Sequence, residues 1–188
     1  MPGDPYVYRG TETLKNKLKI RDQNELELIE RRLVTQRTTE GVPVGDFDLA
    51  HLQAIHRQLF QDVYSWAGKI SIVEISKDGS QFMFRRYIGA GMADVHRRIV
   101  KANYLGGTNR AEFAGGAAKI FGDVNHVHPI REGNGRAQIQ YLKLLAGRAG
   151  HEIDLTRFDQ QTWLSASKAA NAADYGPLSL AILDALRK

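Results

Sequence analysis

The 188-residue chain contains no cysteine, so a disulfide framework and a thiolate metal centre are both excluded. It also lacks any apolar run near the roughly 20 residues that a membrane-spanning helix needs. The first residues do not show the charged, apolar and small-residue pattern of a secretory signal peptide. From these absences we expect a cytoplasmic protein that does not enter a membrane.

The charge balance is basic, with 26 Lys and Arg residues against 21 Asp and Glu residues, a net charge of +5. Such a balance can indicate a nucleic-acid partner. The basic residues are scattered in pairs, however, as at positions 31–32, 85–86 and 97–98, which is typical of solvated helix faces. No aromatic–basic motif accompanies them. Nucleic-acid binding is therefore the less favoured interpretation.

Most of the chain shows apolar residues at helical spacing, bounded by capping signals. Asp22 with Glu25, and Asn109 with Glu112, resemble capping boxes at helix starts. Asp46 is a suitable N-cap for a helix between them, and Pro177 is well placed to open a last helix. At this length and with 43% hydrophobic residues, the pattern predicts a single all-α bundle.

Residues 69–84 interrupt the helical period. Ile70, Ile72 and Ile75 are β-branched, and the dipeptide Asp78-Gly79 is a strong hairpin signal. The residues alone predict one surface β-hairpin within the bundle.

Residues 128–136 read His-Pro-Ile-Arg-Glu-Gly-Asn-Gly-Arg and connect two apolar helical patterns. Gly133 and Gly135 allow a tight turn and a close approach of the backbone to a ligand. Successive N–H groups of residues 133–136 can form a nest for oxyanions at the start of the following helix. The stretch therefore predicts a phosphate site.

Three side chains of the same stretch add chemistry to that site. Arg136 offers a planar fork that suits phosphate oxygens. Glu132 is a hard oxygen ligand of the kind that holds Mg²⁺. His128 titrates near working pH and can accept the proton of an incoming hydroxyl. Together these groups predict transfer of a phosphate-containing group from a nucleotide to a hydroxyl.

The stretch resembles the signature of the Fic family, His-x-Phe-x-Asp/Glu-Gly-Asn-Gly-Arg-x-x-Arg. Most members transfer AMP from ATP to hydroxyl side chains of target proteins. The resemblance implies an all-α Fic-type helical bundle, with His128 as the catalytic base and Glu132 as the Mg²⁺ ligand. It assigns nucleotide and phosphate binding to Gly133, Asn134, Gly135 and Arg136.

The chain departs from the signature at two positions. Ile130 replaces the Phe whose ring anchors the loop to the core, and another bulky apolar group can fill that role. Ile139 stands where the second Arg would be. In the family, that Arg helps to hold the outer phosphate of ATP and pairs with an inhibitory Glu, so both contacts are missing here.

The resemblance also gives the hairpin a function. Fic proteins carry a β-hairpin flap here, after a segment similar to Trp-Ala-Gly at positions 66–68, and it holds the target's modified segment over the motif. The target-docking flap would comprise Ser76, Lys77, Asp78 and Gly79. The resemblance covers about residues 46–187, so we expect one compact Fic domain over 46–188 and an N-terminal helical extension over 1–45.

Regulation and partners follow from the same resemblance. Many Fic proteins carry an inhibitory helix with the motif Ser/Thr-x-x-x-Glu-Gly/Asn. The nearest string here runs from Thr35 to Gly41 and has one residue too many before Glu40. We therefore expect a separate small antitoxin-like inhibitory protein. The implied target is a bacterial topoisomerase subunit for a toxin, or a host small GTPase for an effector translocated into a host cell.

Other functions are compatible with the same residues. One is a Fic-type transferase that uses another nucleotide or a phosphocholine donor, or that moves phosphate itself as in the Doc branch, whose motif has Lys in place of Gly135. Another is a catalytically weakened Fic fold that binds a protein partner. His128 and Glu132 favour the transferase, because a binding module needs neither.

Overall fold

The computed structural model describes residues 4–77 and 80–187. Short 3₁₀ turns lie at Arg85–Tyr87, Asn103–Leu105 and Leu155–Arg157. The helices of the described residues are α1 (Gln23–Thr39), α2 (Leu49–Phe60), α3 (Ile88–Lys101), α4 (Arg110–Val127), α5 (Asn134–Ala149), α6 (Gln160–Asn171) and α7 (Gly176–Ala185).

Helix α4 lies at the centre of the bundle and packs against α3, α5, α6 and α7. Helix α2 packs against α1 on one side and α5 on the other. Phe113 and Phe121 of α4 and Tyr141 of α5 are fully buried between these helices. In the part of the chain that the structure describes, no helix is long and apolar enough to cross a membrane. The predicted all-α fold is confirmed.

Local capping signals account for most helix starts. The Asp22 side chain accepts a hydrogen bond from the Glu25 N–H at the start of α1, and Asn109 forms a full capping box with Glu112 at the start of α4. Pro177 lies in the first turn of α7. These helix starts are confirmed, and among the described residues the complete capping box is found at α4, while at α1 only the bond to the Asp22 side chain is present.

The predicted N-cap of α2 is wrong by two residues. Asp48, not Asp46, caps the helix, and its side chain accepts from the His51 N–H. Phe47 between them has a φ of 61°, a left-handed conformation that breaks the helical path just before Asp48. The sequence alone does not distinguish the two aspartates on either side of Phe47 as N-cap candidates.

The predicted hairpin is present as strands β1 (Ser76–Lys77) and β2 (Ser80–Gln81), which pair antiparallel. Its predicted turn residues, Asp78 and Gly79, lie outside the described residues. The flanks of the hairpin attach to residues 126–129 by backbone hydrogen bonds. The Ser71 N–H donates to Pro129 O at 2.9 Å, and the Met83 N–H donates to His126 O at 2.9 Å.

Candidate active site

His128 is the C-cap of α4, so the helix delivers its ring to the start of the loop. Its backbone is left-handed, with a φ of 44°, and its N–H donates to Val124 O at 3.2 Å. The ring Nδ1 lies 3.2 Å from Asn125 O. A carbonyl oxygen can only accept, so Nδ1 carries the proton in the neutral ring and Nε2 keeps its lone pair. Nε2 is thus the atom that can act as a base.

Phe82, just after β2, covers the His128 ring. The two rings are stacked at a centroid distance of 3.8 Å and an interplanar angle of 12°. Burial lowers the pKa of His128 to about 4, and the nearby cation of Lys77 acts in the same direction. His128 therefore titrates below the pH range expected from the sequence, and its ring is neutral and available as a proton acceptor at neutral pH.

The loop after His128 is fixed to the core through Ile130. Its side chain is fully buried, as the anchoring role predicted for this position requires. The Asn134 amide turns back and makes two hydrogen bonds to the Ile130 backbone, accepting from its N–H at 3.1 Å and donating to its carbonyl. The Asn134 side chain is therefore engaged in holding the loop, and its backbone N–H is the group that belongs to the predicted anion nest.

Gly133 is the N-cap of α5 and has a φ of 85°. No described side chain caps this helix, so the first backbone N–H groups of α5 are not used by a capping group. The Gly133 N–H donates to Glu132 Oε1 at 2.9 Å. A carboxylate oxygen thus already rests on the predicted anion nest, and the Glu132 side chain is 48% exposed beside it.

Arg136 lies in the first turn of α5, with its guanidinium 4.6 Å from the Phe60 ring centroid. Its Nη1 lies 2.6 Å from Glu30 Oε1, and its Nη2 lies 3.7 Å from Glu132 Oε1. Glu30 belongs to α1, is only 7% exposed and also accepts from the Tyr64 hydroxyl. One edge of the Arg136 fork is therefore held by α1, while 38% of the side chain stays exposed.

His56 of α2 contacts the loop from the side of α2, and no motif in the sequence marks it. It is fully buried and stacks on Phe60 at 4.4 Å. Its Nδ1 accepts from the Gly68 N–H at 3.1 Å, and its Nε2 lies 2.7 Å from Glu132 O. Burial lowers the pKa of His56 to about 4, so the ring is neutral.

Ile139, at the position of the second signature Arg, is partly buried and packs against the core. Its apolar side chain leaves this turn of α5 without the cation that the signature supplies there. Of the groups predicted to bind phosphate, the structure brings together the backbone N–H groups at the start of α5 and the side chain of Arg136.

The donor set fits the expected metal. Among residues 4–77 and 80–187, no three His, Asp or Glu side chains gather into a metal cage. Mg²⁺ commonly binds one or two carboxylates together with substrate phosphates and waters. Glu132 is a single exposed carboxylate beside the N-terminus of α5, which suits that mode of binding.

Comparison with known proteins agrees with this geometry. Residues 46–146 match the Fic/DOC family. "Probable protein adenylyltransferase y4lH" of Sinorhizobium fredii is 37% identical over 180 residues, covering 95% of this chain and 94% of the relative. "Probable protein adenylyltransferase Fic" of Escherichia coli K12 is 30% identical over 179 residues, covering 94% of this chain and 89% of the relative.

A solved structure gives the same result. The VirB-translocated effector protein BepC of Bartonella tribocorum, solved with bound AMPPNP, superposes with a TM-score of 0.87 at 27% identity, covering 97% of this chain and 96% of that one. This chain belongs to the Fic/DOC family. The predicted class, a Fic-type protein adenylyltransferase, is confirmed at the level of the family.

Proposed function

We propose that the protein transfers AMP from ATP to a Tyr, Thr or Ser hydroxyl of a target protein. The observation that carries the proposal is the position of His128 at the end of α4, from which the loop leads directly to Gly133 at the uncapped N-terminus of α5. A proton acceptor and an anion nest are thus joined by a short loop. The adenylyltransferase relatives and the AMPPNP-bound neighbour support ATP as the donor.

In the proposed reaction, the target hydroxyl oxygen attacks the α-phosphorus of ATP. Its proton passes to Nε2 of His128, a new P–O bond forms, and the bond to the β-phosphate oxygen breaks to release pyrophosphate. The N–H groups of residues 133–136 and the exposed edge of Arg136 stabilise the charge that develops on the phosphate oxygens. Mg²⁺, held by Glu132, would neutralise phosphate charge.

The target would bind over the hairpin. Ser76 and Lys77 are exposed, and the hairpin flanks are bonded to the 126–129 segment that contains His128. A target segment added along this edge would be held by main-chain hydrogen bonds, with its hydroxyl near the His128 ring. Asp78 and Gly79 stay part of this predicted flap, although they lie outside the described residues.

The second candidate is a transferase with a different donor, and Ile139 favours it. A donor with a shorter phosphate chain, or a phosphocholine compound, would not need a cation at that turn of α5. The same base, nest and flap would serve it. A Fic fold that only binds a protein partner would not need a neutral histidine base covered by Phe82.

Labelled ATP tests the proposal directly. Purified protein, Mg²⁺ and bacterial or animal cell lysate are incubated with ATP labelled at the α- or the γ-phosphate. The expected result is a protein band labelled only from α-labelled ATP and lost with His128→Ala. His126→Ala is the matched control, because His126 is exposed two residues earlier and should transfer normally. Label from γ alone would identify a kinase and overturn the proposal.

The two lysates also test the proposed targets. Labelling of a bacterial topoisomerase subunit would support a toxin, and labelling of a small GTPase would support an effector. BepC is a translocated effector, and the similarity to it supports the effector hypothesis for this chain. For inhibition, we propose a separate small antitoxin-like protein. Co-expression with a candidate small inhibitory protein should reduce transfer, and an unchanged activity would count against it.

A further inference from the structure

His56 makes two hydrogen bonds that fix its protonation state. The Gly68 N–H can only donate, so Nδ1 must accept and carries no hydrogen. The neutral ring then carries its hydrogen on Nε2, which donates to Glu132 O at 2.7 Å. A fully buried side chain of α2 therefore holds one particular carbonyl of the loop, 76 residues further along the chain.

That carbonyl belongs to the peptide unit between Glu132 and Gly133. A trans peptide is planar, and its C=O and N–H point to opposite sides. Once His56 draws the carbonyl toward α2, the Gly133 N–H must point away from α2. It does so here, donating at 2.9 Å to the exposed carboxylate of Glu132.

The contact between α2 and the loop is too close for the peptide to rotate freely. A Cβ added at Gly133 would lie 2.5 Å from the Phe60 ring and 2.9 Å from His56 Nε2. The residue also has a φ of 85°, which favours glycine. His56 and Phe60 thus form a floor that sets the orientation of this peptide.

We propose that His56 is a positioning residue, which orients the Gly133 N–H toward the nucleotide's phosphate oxygens. The inference rests on the proposed AMP transfer and adds a residue to that site. The Glu132 carboxylate now on the Gly133 N–H stands in for a phosphate oxygen. When nucleotide binds, the carboxylate leaves this N–H while the His56–carbonyl bond stays in place.

The chain supplies a matched control in the same helix. His51 is also buried, and it also bridges two backbone groups. Its Nδ1 accepts from the Phe47 N–H at 3.1 Å, and its Nε2 lies 2.9 Å from Pro43 O. Both groups belong to the segment before α2, so His51 has the same structural role as His56 without touching the motif loop.

The test compares His56→Leu, His56→Gln and His51→Leu with the unaltered protein. Three properties are measured: thermal stability, kcat/KM for AMP transfer, and the affinity for AMPPNP with Mg²⁺ by calorimetry. We expect His56→Leu and His51→Leu to lose similar stability. Only His56→Leu should lose at least about tenfold in kcat/KM and in AMPPNP affinity, as for other outer-shell residues.

His56→Gln should recover part of the loss, because its amide N–H can still donate to Glu132 O. In the unaltered protein, the Gly133 amide proton resonance should shift on addition of AMPPNP, and the shift should shrink in His56→Leu. If either leucine variant does not fold, His56→Gln is compared with His51→Gln, and only the former should lower transfer.

Equal kcat/KM and equal AMPPNP affinity in the His56 and His51 variants would overturn the inference. The proposed function fails separately, if the unaltered protein binds AMPPNP and transfers no AMP. In that case, the ratio of AMPPNP affinities still decides the role of His56. A protein that does not bind AMPPNP at all would overturn both.

Discussion

The loop of residues 128–136 and the hairpin of β1 and β2 lie side by side, but they are held in different ways. The loop is bonded from α2 through His56, from α5 through Asn134, and from the N-terminal segment by the Arg131–Asp4 ion pair of 2.7 Å. The paired strands contain two residues each, and their described side chains are exposed. The difference suits a rigid reaction centre beside an adaptable docking edge.

We expect the loop and the hairpin to respond differently to substitution. Changes that disturb the bonded loop should alter the chemistry and the stability strongly. Changes on the exposed strands should alter only the interaction with the target.

Among the variants of residues other than His128, Arg136→Ala should have the largest effect, because it removes a predicted phosphate ligand and leaves the carboxylate of Glu30 buried without its cation. We expect a loss of about a hundredfold in AMP transfer, as for other charge-stabilising donors. The free energy of unfolding should fall by about 2 kcal/mol, less than for a fully buried pair because Arg136 is partly exposed. AMP-transfer assays and urea unfolding measure the two.

The double variant Glu30→Gln/Arg136→Ala separates these two effects. It should recover part of the stability, since the unpaired carboxylate is gone, but none of the transfer. An Arg136→Ala protein as stable as the unaltered one would contradict the described contact with α1.

Gly133→Ala should follow, because it strains a positive φ and places a methyl group against Phe60 and His56. Strain of this kind costs about 1–3 kcal/mol. Transfer should fall by about tenfold or more, as the displaced peptide turns its N–H. Gly147→Ala is the control, because Gly147 lies in α5 outside the motif loop and a Cβ there meets nothing within 4 Å. Equal activities of the two variants would show that the loop is not fixed by α2.

The pH dependence of kcat/KM for ATP tests the cover over His128. In the folded protein, burial lowers the pKa of His128 to about 4. The ring therefore becomes protonated, and stops acting as a base, only as the pH falls through about 4. An uncovered histidine would do so near pH 6.5. Phe82→Ala should expose the ring and move the acidic limb upward by about one pH unit.

Phe84→Ala is the control for that shift, because Phe84 is an exposed aromatic two residues further on. Its acidic limb should stay where it is in the unaltered protein. A limb between pH 6 and 7 in the unaltered protein would contradict the described burial of His128.

Lys77→Ala should have the smallest effect, because its side chain is exposed on β1. We expect the KM for the target protein to rise by about threefold, as for one rim charge. The KM for ATP should not change. Lys119→Ala, an exposed lysine of α4, is the control. A large fall in kcat with Lys77→Ala would show that this residue takes part in the transfer step rather than in binding the target.

Sequence reasoning succeeded where the signal is local. The Asn109–Glu112 capping box and Pro177 at the start of α7 are each contained within one helical turn. The residues assigned to the active site also form one continuous stretch, so a single motif brought them together. Their chemical roles stay predictions, as does the division of the chain after residue 45.

The missed residues meet only through the tertiary fold. His56 lies 76 residues before Glu132, and Glu30 lies 106 residues before Arg136. No periodicity relates such positions. A histidine among the buried apolar residues of α2 was the one available hint, because a buried imidazole needs hydrogen-bond partners. The error at Asp46 arose because the left-handed conformation of Phe47 cannot be read from its identity.

We propose that the backbone of the loop holds the nucleotide's phosphates beside His128. A crystal structure with AMPPNP and Mg²⁺ would show where the phosphates bind. We predict phosphate oxygens within hydrogen-bonding distance of the N–H groups of residues 133–136, with the Glu132 carboxylate moved off the Gly133 N–H. Phosphates bound elsewhere, with that carboxylate still on the Gly133 N–H, would show that the loop backbone is not the phosphate site.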